Sequence, residues 1–239
     1  MVFKKIHLKE IPSTQQYMKE FFQQTKNLES LIVTTDKQTR GKGRGDHTWV
    51  DGKNNLAFTF SLKPHSVISL TPLEIACLLH QFLSEKFSMD LTLKWPNDIL
   101  IQGQGKCAGI LLDFYSEDWV GVGIGVNLIV DPLFKNPLFK TPASALLTSE
   151  KTGLPPHFKQ QIPEEFFSFV LSHRLNTQPL LNYWEKYCGH SQKNVIIYED
   201  ENSYIQGIFQ GIGPQGEALI LNAEGEIQKI FSGSLTVRI

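Results

Sequence analysis

The residues best equipped for chemistry in this chain are cations set among glycines. Residues 36–49 read DKQTRGKGRGDHTW, with Gly41, Gly43 and Gly45 at alternate positions and Arg40, Lys42 and Arg44 beside them. Glycines let backbone N–H groups approach an anion, and Lys42 and Arg44 add charge, so the stretch suits a clamp on phosphate or carboxylate. The competing reading is a solvated surface turn. A second group lies in LKWPNDIL, residues 93–100. Here Trp95–Pro96 ends a strand and Asn97–Asp98 turns the chain, with Asp98 as a turn cap. Lys106 follows Lys94 by twelve residues, behind Gly103 and Gly105 and at the mouth of another apolar run. A lone lysine is ordinarily just solvated; this one has a candidate anion clamp for company.

Other motifs are excluded by spacing. The loop lacks GxxxxGK[ST], and GVGIGVN (121–127) lacks GxGxxG and sits inside a β-like run. The RGD at 44–46 reads as incidental. Fixing backbone costs about 1–2 kcal/mol per residue. A cation near a phosphate returns about 4 kcal/mol at an effective dielectric near 20. The glycine loop is therefore expected to be mobile when empty and to order on binding an anion.

The elements that must position these groups are legible from pattern. Ser13 caps a helix through 13–24, with Gln16 as reciprocal partner and Tyr17, Phe21 and Phe22 on its apolar face. LIVTT (31–35) and NLAFTFSL (55–62) are strands into and out of the glycine loop. A second helix starts at Thr71, with Pro72 in its first turn and Glu74 completing a capping box. Strands follow at LTLKW, CAGILLDFY and WVGVGIGVNLIV, and two helices fill 163–187. From about Lys193, short β-rich runs are broken by GPQG and AEGE, which predicts a small all-β barrel. The boundary falls near 189–194, giving domains 1–190 and 191–239. Strands and helices mix without regular βαβ alternation, so the fold class is α+β.

Composition narrows the function classes. The 239 residues, 41% hydrophobic, carry a net charge of −1, whereas nucleic-acid binders are usually more basic. Cys77, Cys107 and Cys188 are scattered without CxxC, which argues for a reducing compartment. No signal peptide and no apolar run of about 18 residues is present. The expectation is a cytoplasmic protein without membrane attachment. A non-catalytic nucleic-acid-binding module, using the cationic loop and the β unit, stands as the rival of another class.

Taken in order, PSTQQYMK, QTRGKGRGDHTW, KWPNDIL, GKCAGILLD, GVGIGVNL and SGSLTVRI resemble the biotin protein ligases along nearly the whole chain. The resemblance implies a mixed-sheet catalytic domain like those of class II aminoacyl-tRNA synthetases, followed by an SH3-like β-barrel. It implies ATP-dependent activation of biotin to biotinyl-AMP, then transfer to a lysine of a biotin carboxyl carrier protein. ATP and biotin are the implied substrates. Mg²⁺ is expected with the ATP, its ligands unassigned. By likeness, Ser13, Thr14, Gln15 and Gln38 hold the ureido end of biotin. Gly41, Lys42, Gly43 and Arg44 cover its carboxylate, and Gly109 offers backbone. Lys42, Gly43, Arg44, Trp49, Lys106 and Asn127 serve ATP, and Lys106 and Arg44 are the implied catalytic pair. Residues 131–141 fall where the family has a second closing loop. Lys42, Asp46, His47 and Gln15 depart from the usual motif residues. Lipoate or octanoate ligases share the fold and remain an alternative. No winged helix precedes the catalytic segment, so DNA binding is not expected; a homodimer is compatible with the sequence.

Overall fold

Side chains alternate across a strand, so a strand buried on both faces needs two different surfaces to meet. That requirement organises the centre of this protein. The structure, a computed structural model, describes residues 3–25, 29–45, 48–49, 54–129, 142–147, 154–199 and 203–237. In chain order the elements begin with β1 (Lys4–Ile11), α1 (Thr14–Gln24), β2 (Leu31–Gln38), β3 (Gly41–Lys42), β4 (Thr48–Trp49) and β5 (Leu56–Leu62). Then come α2 (Thr71–Phe87), β6 (Leu91–Lys94), β7 (Asp98–Ile101), β8 (Gly105–Phe114), β9 (Val120–Val126), α3 (Phe158–Ser172) and α4 (Thr177–Tyr187). The last strands are β10 (Asn194–Tyr198), β11 (Tyr204–Ile212), β12 (Ala218–Leu221), β13 (Ile227–Ile230) and β14 (Ser234–Val237).

Seven strands form a mixed sheet in the order β1-β2-β5-β9-β8-β7-β6. Only β1 and β2 run parallel; the other neighbours are antiparallel. The α+β expectation holds. Sequence reading had no strand at β1, because this edge strand is half-exposed and spends its side chains as Lys4, Lys5, Lys9 and Glu10.

On one face, Leu56, Phe58, Phe60 and Leu62 of β5 join Val120, Val122, Ile124 and Val126 of β9 under α2, α3 and α4. Each such burial is worth about 1.5–3 kcal/mol. On the other face α1 seats Met18 and Phe22 against Leu31 and Val33. On β5 and β9 that face is small or bare: Ala57, Thr59 and Ser61 opposite Gly125, Gly123 and Gly121. It is beside this second face that the cavity opens.

Both expected capping boxes are corrected. Ser13 Oγ accepts from Gln16 N at 3.3 Å, but the Gln16 side chain turns to Glu20 instead of returning to the cap. Thr71 is already helical after a 3₁₀ turn at Ile68–Leu70, and its hydroxyl accepts from His65 N and donates to Ile68 O. Glu74 is wholly buried and accepts from Arg174 Nε and Nη2, both at 2.7 Å, and from Leu175 N. A distant guanidinium outcompetes the local cap, which a three-residue pattern cannot anticipate. The third helix also starts earlier than expected, at Phe158, with Pro163 inside it.

The C-terminal strands form a five-stranded antiparallel sheet, β13-β12-β11-β10-β14. It is tied to the larger unit by Trp95 Nε1, which donates to Gly216 O at 3.0 Å. The link between α4 and β10 adds a bridge from Cys188 to Leu93.

Candidate active site

A kink in the ladder decides where Lys106 points. Along β7–β8, Ile99 pairs with Ala108 but Leu100 pairs with Lys106, so Cys107 is an extra residue on β8. Such a bulge re-aims the side chains before it. Without it, Lys106 would share the core-facing side of Ala108 and Ile110. With it, Lys106 joins Gly109 and Leu111 on the wall of a cavity of about 700 Å³, a size suited to a small organic ligand.

Cations surround one carboxylate there. Lys106 Nζ lies 2.7 Å from Asp98 Oδ1, and Lys94 Nζ lies 4.0 Å from Asp98 Oδ2. Asp98 is thus a counter-ion at the head of β7, which corrects its reading as a turn cap. Gly109 makes room for the pair: a Cβ there would sit 2.9 Å from Lys106 Nζ. Burial lowers the Lys94 pKa, with Asp98 opposing and the neighbouring Lys106 reinforcing that shift. Burial likewise lowers Arg44, against the pull of Asp98. Desolvated cations held close together favour an anion between them. Arg44 reaches the cavity from the glycine loop, two residues beyond β3, and its Nη1 donates to Gly233 O at 3.1 Å.

The opposite end of the cavity is neutral and rich in hydrogen-bonding groups. Thr14 donates N–H to Gln38 Oε1 at 2.9 Å. Thr59 Oγ1 lies 2.9 Å from Thr14 Oγ1 and 3.1 Å from Gln15 Oε1, while Gln15 Nε2 donates to Gly121 O. The floor between the two ends is β9. A Cβ on Gly123 would lie 2.6 Å from Gln15 Oε1, and one on Gly125 would lie 2.3 Å from the Trp49 ring. Trp49 closes the wall beside Lys106, whose Nζ is 5.7 Å from the ring centroid.

Of the residues expected from sequence, Ser13, Thr14, Gln15, Gln38, Lys42, Gly43, Arg44, Trp49, Lys106 and Gly109 border this one cavity. Two do not. Gly41 packs its backbone against Trp49. Asn127 is buried, accepting from Asn55 Nδ2 and donating to Lys106 O and Ser144 O, so it braces the strand that carries Lys106. Asp46, His47 and residues 131–141 lie outside the described residues. Sequence reading missed Lys94 as a wall residue, Gly123, Gly125 and the C-terminal contribution of Tyr198, Glu199, Gly233, Ser234 and Leu235, and Thr59, which is buried behind the wall and holds Thr14 and Gln15. The glycines had a visible signal: G-V-G-I-G at strand period leaves one face bare, which marks close approach by a neighbour or ligand.

The biotin/lipoate A/B protein ligase family matches residues 8–127. The chain is 29% identical over 220 residues to the bifunctional ligase/repressor BirA of Bacillus subtilis, covering 87% of this chain but 66% of that protein. It is 30% identical over 215 residues to the biotin–[acetyl-CoA-carboxylase] ligase of Paracoccus denitrificans, covering 84% of this chain and 88% of that one. Among solved structures, the biotin protein ligase of Aquifex aeolicus in complex with biotin and ATP aligns over 98% of both chains, with a TM-score of 0.75 and 27% identity.

Proposed function

Because this chain belongs to the biotin/lipoate A/B protein ligase family, we propose that it joins biotin to ATP as biotinyl-AMP, releasing pyrophosphate, and then passes the biotinyl group to a lysine of a carboxyl carrier protein. The observation that carries the reading is one cavity with two unlike ends. A carboxylate that attacks a phosphate must be brought against like charge, and preorganised cations offset that repulsion most in the transition state. Lys106, Lys94 and Arg44 supply them. The neutral end suits a ureido ring, which presents two N–H donors and a carbonyl to the amide and hydroxyl groups of Ser13, Thr14, Gln15 and Gln38. A lipoyl dithiolane has no such groups to match this polar end, which favours biotin over the lipoate alternative.

Lys106 neutralises charge at the joining atoms, Arg44 and Lys42 cover the phosphates, and Trp49 excludes water that would hydrolyse the mixed anhydride. Among the described residues no group of three or more His, Cys, Asp or Glu is placed to hold a metal. Mg²⁺ typically binds through one or two carboxylates plus the substrate's phosphates; Asp98 is already paired with Lys106 and Lys94, so the ion would be held chiefly by the phosphates of ATP. The test is pyrophosphate exchange with biotin, lipoate or octanoate as the only acid, followed by intact mass of a carrier domain. Exchange stimulated by lipoate and not by biotin would overturn the choice of acid.

A further inference from the structure

The cavity wall is electrically lopsided. Its described residues include four cations, Lys42, Arg44, Lys94 and Lys106, and two carboxylates, Asp98 and Glu199. Asp98 is taken by Lys106 and Lys94. With an adenylate seated, its phosphate adds one negative charge and the wall still keeps a surplus of one positive. An acceptor lysine arrives as an ammonium ion at neutral pH, so this wall repels the second substrate while it welcomes the first.

Glu199 is placed to answer that problem. It follows β10 directly, and its N–H donates to Ser203 O, which closes the hairpin. The preceding Tyr198 pairs in register with Ser234, and next to Ser234 lies Gly233, the residue that receives Arg44. Glu199 is solvent-exposed yet borders the cavity, and among the described residues no cation is paired with it. It stands on the C-terminal sheet, across the domain junction from the residues that hold biotin.

Resting on the biotin-ligase reading, we propose that Glu199 receives the acceptor lysine's ammonium group at the cavity mouth and takes its first proton. The freed Nζ lone pair then bonds to the acyl carbon. The C–O bond to phosphate breaks, its electron pair leaves with AMP, and the amine's second proton goes to the departing phosphate. Glu199 thereby belongs to transfer and not to activation, and the C-terminal sheet supplies a residue for one half-reaction only.

The experiment separates the half-reactions. Wild type, Glu199→Gln and Glu199→Lys are assayed for biotin-dependent pyrophosphate exchange, for transfer to a carrier domain across a salt series, and for adenylate consumption by hydroxylamine, an amine uncharged at neutral pH. We expect exchange and the hydroxylamine reaction to persist in both variants, which also shows that they fold. Transfer to the carrier falls about tenfold in kcat/KM for Glu199→Gln, in kcat through the lost proton acceptor and in KM, with a flatter salt dependence, through the lost charge, and further for Glu199→Lys. Wild-type transfer rates in both variants overturn the proposal, as does equal loss in all three assays, which marks a merely structural residue. Absence of biotin-dependent exchange in the wild type overturns the reading of function itself, and this proposal with it.

Discussion

At the residue scale, chemistry depends on where one ammonium group rests. Lys106 is held on Asp98 at 2.7 Å, across a glycine whose missing Cβ leaves the path open. Lys106→Ala is expected to lower biotin-dependent pyrophosphate exchange about 10²–10³-fold, the usual effect of losing one preorganised stabilising group. Near-normal exchange would remove Lys106 from the reaction. Gly109→Ala tests position apart from charge. The added methyl meets only the far end of a flexible lysine, so thermal stability holds while exchange drops, chiefly in kcat. The placement of Lys106 rests on its neighbours as much as on itself. The sequence shows the lysine and the glycine three apart, but a bulge between them is needed to set both on one wall.

At the element scale, β9 and the start of α2 carry the argument. The alternate glycines of β9 keep the cavity floor flat, and Gly123→Ala forces a Cβ to 2.6 Å from Gln15 Oε1. The expected outcome is a folded protein with weakened biotin binding, read by calorimetry; unchanged affinity would show that Gln15 does not set the pocket's polar end. At α2 the buried Glu74 and its partner Arg174 join the helix start to the turn after α3. Breaking them is predicted to be asymmetric. Arg174→Ala strands an unpaired carboxylate with no solvent access and costs about 3–5 kcal/mol. Glu74→Ala costs less, because Arg174 is about one-third exposed and can turn to water. Urea titrations of the two variants decide it, and equal losses would contradict the account. The capping pattern at Thr71 was legible and misleading for the same reason: local spacing says nothing of a guanidinium a hundred residues away.

At the scale of the whole molecule, the junction between the two sheets joins stability to function. Trp95 lines the cavity and bonds the C-terminal sheet at Gly216, while Arg44 crosses to Gly233. His190 lies buried in the same junction against Phe209, its pKa pushed down to about 3 by burial and then by Lys94 and Lys193. The unfolded chain therefore binds a proton that the folded chain refuses, and stability falls as pH drops below about 6.5 toward 3. Between pH 7 and 5 this amounts to about 2 kcal/mol; His190→Gln is expected to flatten that stretch of the urea-derived profile, and an unaltered slope would rule the histidine out. By itself the amino-acid order determined the α+β class, the helix and strand runs, the cationic glycine loop and the motif set of the family, because periodicity, glycine and charge act locally. The tertiary structure alone decided that Lys106 faces the cavity, that Asp98 is its counter-ion, that Asn127 is a brace and that Glu199 borders the site. Those four depend on a bulge, on strand neighbours and on the junction between the two sheets, and contacts between residues far apart in the chain leave no trace in local spacing.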